Sequence, residues 1–222
     1  MKCAALFSGG KDSTYAVFLA RKHGYDVSCL ISIASENPDS YMFHTPSILQ
    51  VKKQSEVMGV PLIIQRTMGE KEKELKDLKE VIQKAKIDFE IEGVITGSVE
   101  SAYQASRVQR ICNEMGLECF NPLWQWDQFE LLQELIREHF DVVVISVSAY
   151  PLDKSWLGRR IDEYFIKEVR KLFNRFGINP AGEGGEFETF VLGCPLFRRS
   201  LTIVDKQVSG KDNSWRMEIT VL

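Results

Sequence analysis

Apolar positions along this chain change their period several times, and each change marks an element. In the first half short apolar runs alternate with stretches of helical spacing. The runs Cys3–Phe7, Val27–Ile33, Pro61–Gln65, Gly93–Thr96 and Leu117–Phe120 predict buried strands. Thr14–Ala20 predicts a helix. Between the later strands, Ile48, Val51 and Val57 share a face of a helix over Ser47–Met58. Leu75, Leu78, Ile82 and Ala85 do so over Glu70–Lys86, and Val108, Ile111, Cys112 and Met115 over Gln104–Met115. Strands separated by single helices predict right-handed βαβ units and a parallel sheet.

The pattern shifts at Asn121-Pro122. Beyond it the sequence predicts a helix at Asp127–His139, a strand at Val142–Val147, a helix at Ile161–Phe176, and β segments at Glu188–Leu192, Leu201–Val208 and Trp215–Leu222. In the last, Trp215, Met217, Ile219 and Val221 alternate with polar residues, the mark of a strand with one wet face. The expectation is an α/β domain over residues 1–121 and a smaller α+β domain over residues 122–222.

Composition narrows the class. With 222 residues, 44% hydrophobic and 27% charged, the chain can bury a real core. A net charge of −3 argues against nucleic-acid binding by bulk charge. The absence of an 18-residue apolar run predicts no transmembrane helix. Five cysteines without a close CxxC pair, and three scattered histidines, predict reduced thiols in a cytoplasmic protein and no zinc site. The Glu/Lys-rich stretch Glu70–Glu80 reads as a solvated helix face.

Four stretches carry candidate chemistry. Ser8-Gly9-Gly10-Lys11-Asp12-Ser13 joins the first strand to the first helix. Two glycines allow a tight turn whose N–H groups, with the helix dipole, suit phosphate. Lys11 adds a mobile positive charge, and Ser8 and Ser13 add hydroxyls. The spacing is not GxxxxGK[ST], because Asp12 follows Lys11. The long connection Ala34–Pro46, containing Ser40-Tyr41-Met42-Phe43-His44, leaves the second strand at its carboxyl end. It reads either as functional or as a loop pinned to the core by Met42 and Phe43. Thr96 and Gly97 open a third stretch, in which Gln104 and Arg107 share a helix face near Tyr103. This reads as an anion grip or as a helix cap with a surface arginine. Gly182-Glu183-Gly184-Gly185-Glu186-Phe187-Glu188 concentrates three carboxylates among glycines. It reads as a site for a cation or as a solvated turn before a strand.

SGGKDS beside an amino-terminal strand resembles the phosphate loop of the PP-loop ATP pyrophosphatases, which have a Rossmann-like (HUP-type) fold. SGGKDS, SYMFH, GSVESAYQASRVQ, PLW and GEGGEFETFVLGCPLF, in that order, resemble the diphthine–ammonia ligases along nearly the whole chain. The resemblance implies ATP with Mg²⁺, an acyl-adenylate, release of AMP and pyrophosphate, ammonia as nitrogen donor, and elongation factor 2 as protein substrate. It implies phosphate contacts at Ser8, Gly9, Gly10, Lys11 and Ser13, Mg²⁺ at Asp12, and adenine against Leu30, Ile31, Ser32 and Ile33, with Thr96 and Gly97 nearby. Lys11, Glu183, Glu186 and Glu188 become the catalytic candidates. His44, Tyr103, Gln104, Arg107, Gly184 and Gly185 become substrate-binding candidates. One position departs: the family often has aspartate where this chain has Gly193. The resemblance further implies an archaeal-type enzyme, without the extra carboxyl-terminal domains of eukaryotic members. Two rivals are a tRNA-thiolating PP-loop enzyme, which the missing CxxC pair disfavours, and an ATP-binding regulatory module of the universal-stress type. No contact with membrane or nucleic acid is expected.

Overall fold

The computed structural model describes residues 1–35, 50–68 and 73–222. Five parallel strands form the first sheet: β1 (Lys2–Leu6), β2 (Asp26–Ser35), β3 (Leu62–Thr67), β4 (Gly93–Ile95) and β5 (Glu118–Phe120), in the order β3-β2-β1-β4-β5. Their connections carry α1 (Lys11–Lys22), α2 (Val51–Met58), α3 (Lys73–Phe89) and α4 (Ala102–Met115). The order reverses direction at β1, so the β1–α1 and β4–α4 turns flank the switch point where ligands of such sheets bind.

Four strands form a second, antiparallel sheet: β6 (Asp141–Val147), β7 (Phe187–Gly193), β8 (Ile203–Lys211) and β9 (Ser214–Val221), in the order β7-β6-β9-β8. Two helices accompany it, α5 (Gln128–Arg137) and α6 (Glu163–Phe176). Asp127 and Asp162 cap them by accepting the N–H groups of Glu130 and Phe165.

The predicted elements recur with ends shifted by a few residues. The strand predicted at Glu188–Leu192 is β7, which starts one residue earlier, at Phe187. Aromatic and β-branched residues at 187, 190 and 191 are buried and outweigh the carboxylates. Gly193 ends β7 opposite Asp141, and a Cβ there would stand 2.8 Å from the Ser200 hydroxyl, so a side chain requires that hydroxyl to turn away.

One apolar cluster takes residues from both sides of Pro122. It joins Phe7, Tyr15, Val17 and Val51 to Leu131, Phe140, Phe165 and Val191. Tyr15 stacks on Trp126 at 5.8 Å and meets Phe140 edge-on at 5.3 Å. All five cysteines are free thiols. Among the described residues no helix is long and apolar enough to cross a membrane.

Candidate active site at the phosphate loop

The turn after β1 is closed by its own hydroxyls. Ser8 N–H donates to Ser13 Oγ at 3.2 Å, the two serine hydroxyls lie 3.1 Å apart, and Thr14 Oγ1 donates to Gly10 O at 2.8 Å. Gly9 has φ +80, open to glycine without strain. A Cβ on Gly9 would fall 2.2 Å from Gln54 Oε1, so the close packing also demands glycine.

Gln54, on α2, is fully buried and donates Nε2 to Gly9 O at 2.9 Å and to Val191 O at 2.8 Å. Val191 N–H donates to the same Gly9 carbonyl at 3.0 Å, and Lys11 N–H donates to Thr189 Oγ1 at 3.1 Å. Strand β7 of the second sheet is therefore one wall of the loop.

Lys11 is corrected by the structure. It was expected to be mobile, yet it is 3% exposed, and its ammonium is 2.8 Å from Asp12 Oδ2 and donates to Ala181 O. The Phe187 ring lies 5.8 Å from it. A lysine at the first helical position reaches back along the helix start, and the carbonyl opening the glycine-rich segment is what it meets there.

That segment is organised by Asn179, whose Oδ1 accepts N–H bonds from Ala181 and Glu183, both at 3.1 Å. Gln128 accepts a second bond from Ala181 N–H at 3.0 Å. Glu183 then reaches the β4–α4 turn, where Glu100 N–H donates to its Oε2 at 3.3 Å. Burial, and then the neighbouring Asp12 carboxylate, push the Glu183 carboxyl up to about 7. The Lys11 ammonium and the N–H groups of the β4–α4 turn pull the other way.

The three glutamates do not converge. Glu186 Oε1 accepts Asn179 N–H at 3.0 Å, within its own loop. Glu188 shares a strand face with Phe190, which packs in the cluster on the far side of β7 from Thr189. The three carboxylates are therefore spread along the segment, and Glu183 is the one whose carboxyl feels Asp12. Gly184 and Gly185 lie in the exposed turn between.

The start of the third stretch packs on the phosphate loop. Gly97 packs on the start of α1, and a Cβ there would meet the Asp12 and Ser13 backbone at 2.8 Å. Thr96 is buried, with its N–H donated to Phe120 O at 3.0 Å. Ser101 caps α4 by accepting Gln104 N–H at 3.3 Å. The Arg107 guanidinium lies 3.4 Å over the Tyr103 ring and donates to Tyr103 O at 3.4 Å.

Of the adenine candidates, Leu30 donates its N–H to Pro61 O and Ile31 accepts from Phe7 N–H, both at 2.8 Å. Those backbone groups are spent inside the sheet. The Ser32 hydroxyl donates to Phe7 O at 2.5 Å, and Ile33 lies beyond the residues of β2 that pair with β1. His44 and the SYMFH motif lie outside the described residues.

Gln54, Asn179 and Thr189 escaped the sequence reading. Gln54 carried one signal, a polar residue on the inward face that Val51 and Met58 define in α2.

Comparison with known proteins places this arrangement. The family model described as the diphthamide synthase N-terminal domain matches residues 1–119, and that described as the diphthamide synthase C-terminal domain matches residues 127–220. A diphthine–ammonia ligase from Bos taurus is 33% identical, over 94% of this chain and 85% of its own length. The one from Homo sapiens is 32% identical over the same shares. Among solved structures, a predicted subunit of tRNA methyltransferase from Methanocaldococcus jannaschii has a TM-score of 0.45 and 18% identity, covering 88% of this chain and 98% of that one. On the two family models and these relatives, the chain belongs to the diphthamide synthase family.

Proposed function

We propose that the chain is an ATP-dependent ligase that amidates diphthine on elongation factor 2 with ammonia, through an acyl-adenylate, releasing AMP and pyrophosphate. The observation that carries the reading is the meeting of Glu183 with Asp12 and Lys11. It puts a carboxyl of the glycine-rich segment at the edge of a phosphate loop.

The triphosphate lies over Ser8–Ser13, held by loop N–H groups and hydroxyls. The diphthine carboxylate attacks the α-phosphorus, the P–O bond to the β-phosphate breaks, and pyrophosphate leaves. The Lys11 charge and oriented N–H groups stabilise the negative charge that builds there. Ammonia then attacks the acyl carbon, and AMP departs with its bonding pair. Glu183, with its carboxyl near 7, is suited to take the proton that the attacking nitrogen sheds.

A divalent cation fits beside Asp12. Its Oδ1 is buried without a hydrogen-bond partner, and Glu183 is its carboxylate neighbour. Among the described residues no group of three ligating side chains exists, so phosphate and water oxygens would complete the shell, as is usual for Mg²⁺. Such an ion would shield the charge of the phosphates. Division into residues 1–121 for ATP and 122–222 for the protein substrate is part of this proposal, with Thr189 and Glu183 crossing it.

The test is to incubate ATP with diphthine-modified elongation factor 2 and ammonium and resolve the nucleotides by chromatography. AMP and pyrophosphate should appear only when both substrates are present. ADP with inorganic phosphate, or turnover indifferent to elongation factor 2, would refute the reading.

A further inference from the structure

We propose that Thr189, on β7, binds phosphate: its hydroxyl stands with that of Ser8 over the Gly9–Gly10 turn and donates to the nucleotide. The inference rests on the ATP reading above and adds a ligand from the second sheet to it.

Helix α1 begins after Gly10, which has no side chain to cap it. Thr189 supplies the cap from 178 residues away by accepting Lys11 N–H at 3.1 Å. An oxygen that accepts this bond keeps its own proton to give. A hydroxyl is a donor as well as an acceptor, and Lys11 N–H is itself a donor. No acceptor for the Thr189 proton is found among the described residues.

The place is set by Gly10. A Cβ built there would lie 3.2 Å from Thr189 O and 3.5 Å from both Thr189 Oγ1 and Ser8 Oγ, so the two hydroxyls stand about equally close to Gly10. The strand cannot drift from that point. Two residues further along β7, Val191 N–H donates to Gly9 O, and Gln54 Nε2 donates to both Gly9 O and Val191 O. A fixed neutral donor beside the loop N–H groups recognises a phosphate oxygen with little ordering cost.

The test uses the full chain and two probes, inorganic pyrophosphate and ATP, each titrated calorimetrically in the presence of Mg²⁺. Thr189→Val keeps the shape and removes the hydroxyl, and Thr189→Ser keeps the hydroxyl. The valine variant should lose about tenfold or more in affinity for both probes, the scale of a hydrogen bond to a charged group. The serine variant should return to within about twofold of the parent. Urea midpoints report any change in folding. If the valine variant does not fold, Thr189→Ala replaces it in the same comparison with Thr189→Ser. A folded variant lacking the hydroxyl that binds both probes as the parent does would overturn the inference and leave the ATP reading standing. A parent chain that binds neither probe would overturn both.

Discussion

Glu183 offers the sharpest test of the site's electrostatics. Its carboxyl is pushed from 4.5 to about 7, first by burial and then by Asp12. The folded chain therefore keeps the proton to higher pH than the unfolded chain does. The associated stability is fully present below the unfolded value and is lost as pH rises through about 7. At about 1.4 kcal/mol per unit the shift amounts to ~3 kcal/mol, and partial exposure and sharing with Asp12 bring this to about 2–3 kcal/mol. Glu183→Gln is neutral at every pH and should not pay that penalty. Urea denaturation between about pH 4 and pH 8 should find parent and variant nearly equal at the acid end. At the alkaline end the variant should be more stable by about 2 kcal/mol. Adding Mg²⁺ at pH 8 should narrow the gap, because a cation beside Asp12 favours the charged carboxylate. A gap that does not change with pH would refute the assignment of Glu183 to a buried, like-charged pair.

Lys11→Met should lose turnover and also about 2–3 kcal/mol of stability, since Ala181 O and Asp12 Oδ2 lose their shared donor. An unchanged denaturation midpoint would show that the ammonium is not held as described. Gln54→Leu keeps the volume but removes the bridge between Gly9 and Val191. It should cost about 1–3 kcal/mol and raise the KM for ATP, as measured by melts and initial rates. Lowered stability with an unaltered KM would make Gln54 a packing residue only.

The phosphate loop was legible because its signals are local: an apolar strand, two glycines, a helix, and serines at both ends. The glycine-rich carboxylate stretch was legible as chemistry but not as geometry. Its three glutamates look equivalent in a string, yet a turn that folds Glu186 back on Asn179 and a strand that alternates faces separate them. Lys11 was misjudged for a related reason. A lysine beside glycines reads as exposed, and only the carbonyl of Ala181, 170 residues away, explains its burial. Thr189 lies inside the glycine-rich GEGGEFET stretch, where its role is hidden because its partner is a backbone N–H at the other end of the chain.

The seam between α1 and β7 bears on how the chain folds and responds. Tyr15, Val17 and Phe7 share one cluster with Leu131, Phe165 and Val191, so a cut near Pro122 would leave each half with an unsatisfied apolar face. The chain should therefore melt as one cooperative unit rather than as two. Whatever steadies the turn at Gly9 also steadies the strand that carries Thr189 and Val191 and the loop that carries Glu183. A ligand bound at the Gly9 turn should therefore be felt at Glu183 through these shared hydrogen bonds. An exchange of carboxyl-terminal halves between relatives would succeed only where Gln54 and Lys11 meet the same backbone they meet here.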